Sequence, residues 1–187
     1  MAINHLNPQN IIHINPGKES SVKLIDFEAM GADLQIGDLD AFLGEAKREL
    51  ACYCAPEIIH GNWTIKNDEF AVGVIMYFML TGNPPFWSEN YRDTLKQIIN
   101  YKFDQTSERW TNLSAEARDL ILRLMAFRPE DRFSAQQALN HAWFKKASRG
   151  ELDQKEIGEA LHALKDFHTG SKLKQAVHSF FIQNLLS

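Results

Sequence analysis

One run of residues constrains this chain more than any other. From Phe70 to Leu80 it reads FAVGVIMYFML, 11 residues without a charge. A bilayer span needs about 20 such residues, so this run is too short to be one. A helix this short and apolar on every side belongs at the centre of a folded body, wrapped by other elements. Asn67-Asp68 stands before it as a candidate cap, and Thr81-Gly82 marks its stop.

The elements that could wrap it follow from pattern. Residues 10–27 read as a small hairpin: an apolar run NIIHIN, a turn NPGKES and a second run SVKLIDF. Residues 28–54 lack sustained periodicity and read as loop, with a short helical turn near Leu39–Leu43. Ala55-Pro56-Glu57 opens a short helix that ends near His60-Gly61. Glu89 to Tyr101 reads as an amphipathic helix with Leu95, Ile98 and Ile99 on one side. Another helix runs from Ser114 to about Ala126, and Ser134 caps a third over AQQALNHAWF. After Lys146 the polar stretch SRGELDQ leads to two amphipathic segments, Lys155–Phe167 and Lys172–Leu186. The expected class is mainly α, with a minor β-hairpin near the amino terminus.

Composition narrows the function. With 187 residues there is room for one domain and a short appendage. The net charge of −4 makes no electrostatic case for nucleic acid or an acidic membrane surface. Cys52 and Cys54 are too close for an unstrained bridge and make no disulfide framework, which points to a reducing, cytoplasmic setting. The start MAINHLNPQN does not read as a secretory signal. His13, His60, His141, His162, His168 and His178 show no metal-ligand spacing.

The order of short motifs goes further. Leu6-Asn7-Pro8-Gln9-Asn10-Ile11-Ile12 resembles the protein-kinase catalytic loop, which in that family reads H-R-D-L-K-P-E-N-I-L. Asp26-Phe27-Glu28 stands where the family has D-F-G, and Ala55-Pro56-Glu57 matches its A-P-E. Asp68 to Val74 looks like D-x-W-S-x-G-V, and Gly82-Asn83-Pro84-Pro85-Phe86 is its usual exit. RPEDRF (128–133) and His141-Ala142-Trp143-Phe144 resemble the last two landmarks. Seven matches in the right order, over residues 3–146, identify the chain as similar to the carboxy-terminal, helical lobe of a protein kinase.

That resemblance implies roles. In the family a catalytic-loop Asp accepts the substrate hydroxyl proton, a Lys two residues on neutralises the phosphoryl, and the loop Asn and D-F-G Asp hold magnesium. Here the Asp position is His5 and the Lys position is Asn7, while Asn10 and Asp26 are retained as candidate magnesium and nucleotide contacts. The H-R-D His and Arg become Ile3 and Asn4, the D-F-G Gly becomes Glu28, and a Thr that ties the catalytic Asp to the Lys becomes Leu50. Asn7 supplies no positive charge, and His5 has no fixed negative one. No Ser or Thr lies between Glu28 and Tyr53, so switching by activation-loop phosphorylation on those residues is not expected. Scaffold positions are kept: Glu57 and Arg132 stand where the family has a buried ion pair, and Asp68 where it has an acceptor for the catalytic loop.

Residues 150–187 resemble the junction of plant and protist calcium-dependent protein kinases, carried by Leu161, Ala163, Leu164, Phe167, Lys172, Leu173, Ala176, Phe180, Ile182 and Leu185. In that family the junction is an inhibitory helix followed by EF-hands. No D-x-[DN]-x-[DN]-G loop occurs in this sequence, so no calcium site is expected.

The resulting expectation is a lobe over residues 1–146 without its amino-terminal partner lobe, then linker and junction helices over 147–187. The function expected is binding or regulation, as in a pseudokinase, with phosphotransfer impaired. The alternative is part of an active ATP-dependent Ser/Thr kinase whose amino lobe is missing. Mg-ATP is implied by the family and is not expected to bind this chain alone. Partners implied are a missing amino lobe, another kinase, or a calmodulin-like protein through residues 171–187, with no nucleic acid and no membrane.

Overall fold

The computed structural model describes residues 6–13, 22–25, 39, 47–150 and 158. Two strands come first, β1 (Ile11–His13) and β2 (Val22–Leu24). The helices are α1 (Lys47–Leu50), α2 (Pro56–Ile59), α3 (Lys66–Thr81), α4 (Tyr91–Ile99), α5 (Glu108–Thr111), α6 (Ala115–Leu124), α7 (Ala135–Leu139) and α8 (Ala142–Ser148). Single 3-10 turns stand at Pro8–Asn10, Ala51–Tyr53 and Pro129–Asp131. The described residues are thus mainly helical with one strand pair, as expected.

β1 and β2 pair antiparallel, Ile11 opposite Leu24 and His13 opposite Val22. The hairpin turn lies outside the described residues. So do the helical turn expected near Leu39–Leu43, apart from Leu39, and the two tail segments, apart from Gly158.

α3 is the axis of the body. Phe70, Val74, Tyr77 and Phe78 are buried along it, each such side chain contributing about 1.5–3 kcal/mol when fully removed from water. It packs chiefly on α6, and Gly73 makes that possible. A Cβ at Gly73 would stand 2.6 Å from Met125 Cγ and 3.0 Å from Leu124 Cβ. An aromatic group seals the far end: Tyr77 stacks on Trp110 at 5.3 Å, and Phe103 meets both edge-on. The Tyr77 hydroxyl donates to the Asp104 carbonyl at 2.8 Å, and burial pushes its pKa up to about 12.

Local signals set most boundaries. Gly82 ends α3 with φ 78°, donating its N–H to the Phe78 carbonyl. Only a residue without Cβ adopts that left-handed turn freely. Ser114 Oγ accepts from the Ala117 amide, and Ser134 with Gln137 forms a reciprocal capping box.

Four expectations differ. Asn67-Asp68 does not cap α3, because both residues lie within its first turn and Ile65 is the cap position. There Asp68 and Glu69 favour the positive end of the helix dipole. The segment 47–53, read as loop, is α1 and a 3-10 turn, held by packing against α3 and α4. The helix over AQQALNHAWF is two, since Asn140 ends α7 and His141 begins a new turn. Ile99 is 37% exposed, and Thr94 joins Leu95 and Ile98 on the buried face of α4.

Candidate functional site

The catalytic-loop segment is described from Leu6 onward. Leu6, Asn7 and Asn10 are all buried. The 3-10 turn Pro8–Asn10 folds the chain back on itself, with the Asn10 amide donating to the Asn7 carbonyl at 3.1 Å. That fold brings the two side chains together, and Asn7 Nδ2 donates to Asn10 Oδ1 at 2.5 Å. On the other side, the Ile25 amide donates to the Asn10 carbonyl at 2.8 Å, continuing the β1–β2 pairing by one step. The chain just before Asp26 is therefore fixed beside Asn10. His5 and Asp26 themselves lie outside the described residues, as does Glu28.

Of the two candidate magnesium contacts, Asn10 is the one described. Magnesium takes hard, preferably anionic oxygens. Asn10 offers one neutral amide oxygen, and that oxygen already accepts a short hydrogen bond from Asn7. Asn7 is itself a neutral amide. Among the described residues, no group of three or more His, Cys, Asp or Glu side chains could hold a metal ion. Asp26, the other candidate contact, lies outside the described residues.

The scaffold site is the opposite. Arg132 is the largest fully buried side chain, and all five of its guanidinium N–H directions are used. Nη1 donates to Glu57 Oε1 at 2.6 Å and to the Lys66 carbonyl, while Nη2 donates to Glu57 Oε2 at 3.0 Å and the Phe127 carbonyl at 3.4 Å. Nε donates to the Ala126 carbonyl at 3.1 Å. The guanidinium also lies over the Phe70 ring at 5.1 Å. Glu57 and Arg132 thus come together as the sequence expected. Three contacts were not foreseen: the α3 entry through Lys66, whose Nζ returns to the Arg132 carbonyl at 2.8 Å, and the two carbonyls of the α6 exit. No sequence pattern marks them, because backbone carbonyls carry no residue signature. Asp68 sits half-buried in the first turn of α3.

Leu50 is buried against the core. Cys52 and Cys54 beside it are free and buried. Burial pushes the Cys54 thiol up to about 12 and the Cys52 thiol still further, so both stay protonated near neutral pH and are poor nucleophiles. Burial raises the phenol of Tyr53 as well. No helix among the described residues is long and apolar enough to cross a membrane.

Comparison with known proteins closes the site description. Residues 3–144 match the protein kinase domain. The chain is 37% identical over 136 residues to calcium-dependent protein kinase 19 of Arabidopsis thaliana, covering 72% of this chain and 24% of that protein. It is 31% identical over 186 residues to calcium-dependent protein kinase 15 of Oryza sativa subsp. japonica, covering 96% and 32%. Against calcium-dependent protein kinase 3 of Plasmodium berghei the figures are 32% over 162 residues, 87% and 28%. This chain therefore spans about a quarter to a third of the length of these relatives.

Proposed function

The chain belongs to the protein kinase family, and from that premise we propose that it is a degenerate carboxy-terminal lobe that acts by binding or regulation without efficient phosphotransfer. One observation carries the reading. At the position of the family's catalytic lysine, Asn7 donates to the oxygen of Asn10 that the family uses for metal. Where the family has a cation, this chain has a neutral amide hydrogen-bonded to a second one. His5 at the position of the base, Leu50 at the threonine and Glu28 after Asp26-Phe27 point the same way. Transition states of phosphoryl transfer need charge stabilisation above all, and these replacements remove it. Within this reading residues 1–146 form the lobe and 147–187 the linker and junction.

Partners proposed with it are an amino-terminal lobe or second kinase, and a calmodulin-like protein acting through residues 171–187. The setting proposed is the cytoplasm. Relatives named as calcium-dependent kinases support that branch of the family, with calcium sensing placed outside this chain.

A second reading is favoured by the intact Glu57–Arg132 anchor and by the share of the relatives left uncovered. In it the chain is part of an active ATP-dependent Ser/Thr kinase, and His5 is an unusual base. The separating experiment is a radiolabelled phosphotransfer assay on the complete parent protein with magnesium and ATP. The expected outcome is no turnover above that of a His5→Ala, Asn7→Ala control. Robust turnover that vanishes in His5→Ala would sink the first reading.

A further inference from the structure

Asn67 lies in the first turn of α3 and is only 1% exposed. Neither its Nδ2 nor its Oδ1 has a hydrogen-bond partner among the described residues. It is the only side chain among them with both a donor and an acceptor left over. A primary amide brings two N–H donors and two carbonyl lone pairs, and burying them unmatched is unfavourable. A side chain with almost no surface is out of reach of another lobe or a partner chain. What meets this amide therefore lies inside the body that buries it.

The polar groups next to it in the chain are already bonded. The Asn67 backbone N–H donates to the Thr64 carbonyl at 3.1 Å and the Asp68 N–H to the Ile65 carbonyl at 3.3 Å. The Lys66 N–H donates to Thr64 Oγ1 at 3.2 Å. The Lys66 carbonyl accepts from Arg132 Nη1, and Lys66 Nζ donates to the Arg132 carbonyl at 2.8 Å. Charge then selects the class of occupant. Asp68 and Glu69 follow in the same turn and oppose an anion. Lys66 precedes it, tied to the buried Arg132 guanidinium, and both oppose a cation. A small neutral molecule that donates and accepts at once fits, and water is that molecule.

We propose that Asn67 holds at least one structural water, sealed inside the lobe next to the Lys66–Arg132 contact. Asn67 Oδ1 accepts from bound water and Nδ2 donates to it. The water then matches the amide from within, as buried waters match other polar groups that find no protein partner. Being sealed, it leaves only when the first turn of α3 opens. The site makes no use of the catalytic loop, so it stands or falls apart from the reading of phosphotransfer.

Water-selective NOE and ROE spectra of the full chain, labelled with nitrogen-15, test this. The Asn67 Nδ2 protons should show cross-peaks to water, with the NOE sign of contacts inside the protein, the mark of a water that tumbles with it. The opposite sign of the ROE separates contact from proton exchange. Oxygen-17 relaxation dispersion should count at least one fewer long-lived water in Asn67→Leu, with α6 amides still protected in hydrogen exchange. If Asn67→Leu does not fold, the cross-peaks of the unsubstituted chain decide alone. Their absence would overturn the proposal, because the amide is then met by a protein group or by nothing. So would an unchanged count of long-lived waters in folded Asn67→Leu. A rise in its urea midpoint would do the same, since an apolar side chain improves this position only if the amide was dry.

Discussion

Glu57–Arg132 and Asn7–Asn10 are both buried polar pairs, and they lie in the same lobe, but they serve different ends. Arg132 is a charge stripped of water, and it is stable there because a carboxylate and three backbone carbonyls surround it. Asn7 and Asn10 are neutral amides joined by one hydrogen bond within a single tight turn. Neutral groups are easier to bury than charges. In the proposed reading, Asn7 stands where the family has a lysine, and a neutral amide there supplies no charge to the reaction. The comparison teaches that a buried charge needs a full shell of partners, whereas a buried amide pair needs far less. One holds a buried charge that the fold uses, and the other holds no charge at all.

Breaking the anchor should have the largest effect. Arg132→Leu strands the Glu57 carboxylate, and the expected loss is about 3–5 kcal/mol of stability in urea denaturation followed by circular dichroism. A loss under about 1 kcal/mol would show that the pair does not anchor the lobe. Next comes the close approach beneath it. Gly73→Ala forces a methyl against Met125, and the expected cost is about 1–3 kcal/mol despite the better helix propensity of Ala. Pairing it with Met125→Ala should recover part of that loss if the contact is the cause.

The loop should respond more weakly. Asn7→Ala leaves Asn10 Oδ1 without this donor, with an expected cost of about 1–2 kcal/mol. Asn7→Leu with Asn10→Leu should be milder than the single change, whereas the loss from Arg132→Leu should not be relieved by shortening Glu57. The smallest effect at neutral pH concerns the thiols. Their folded pKa values lie above the unfolded value of 9.0, so the unfolded chain releases these protons first. Stability is then unaffected below about pH 9 and falls as pH rises from there toward 12. Cys52→Ala with Cys54→Ala should flatten that fall in denaturation curves taken between pH 8 and 11.

Much of this was legible before any coordinates. The 11-residue apolar run identified the central helix, because a chain that buries such a run must build around it. Ser114, Ser134 and Gly82 marked their boundaries, since capping is a contest among neighbouring backbone groups. Asn67 was misread for the same local reason. It looks like a cap, but it is a buried first-turn residue whose amide has no partner among the described residues. The break at Asn140 was missed because AQQALNHAWF holds no proline or glycine to announce it.

By itself, then, the sequence determined the family, the central helix and which residue types stand in the catalytic-loop motif. Each of these is a matter of residue type and spacing along the chain. Only the tertiary structure decided what those residues touch. It set Asn7 against Asn10, seated Arg132 among carbonyls that include Lys66, 66 residues away, and a carboxylate 75 away at Glu57, and left Val72 and Met79 of α3 exposed. Periodicity says which face of a helix is apolar. Which neighbour covers that face depends on contacts between segments far apart in the chain, and no local pattern encodes them.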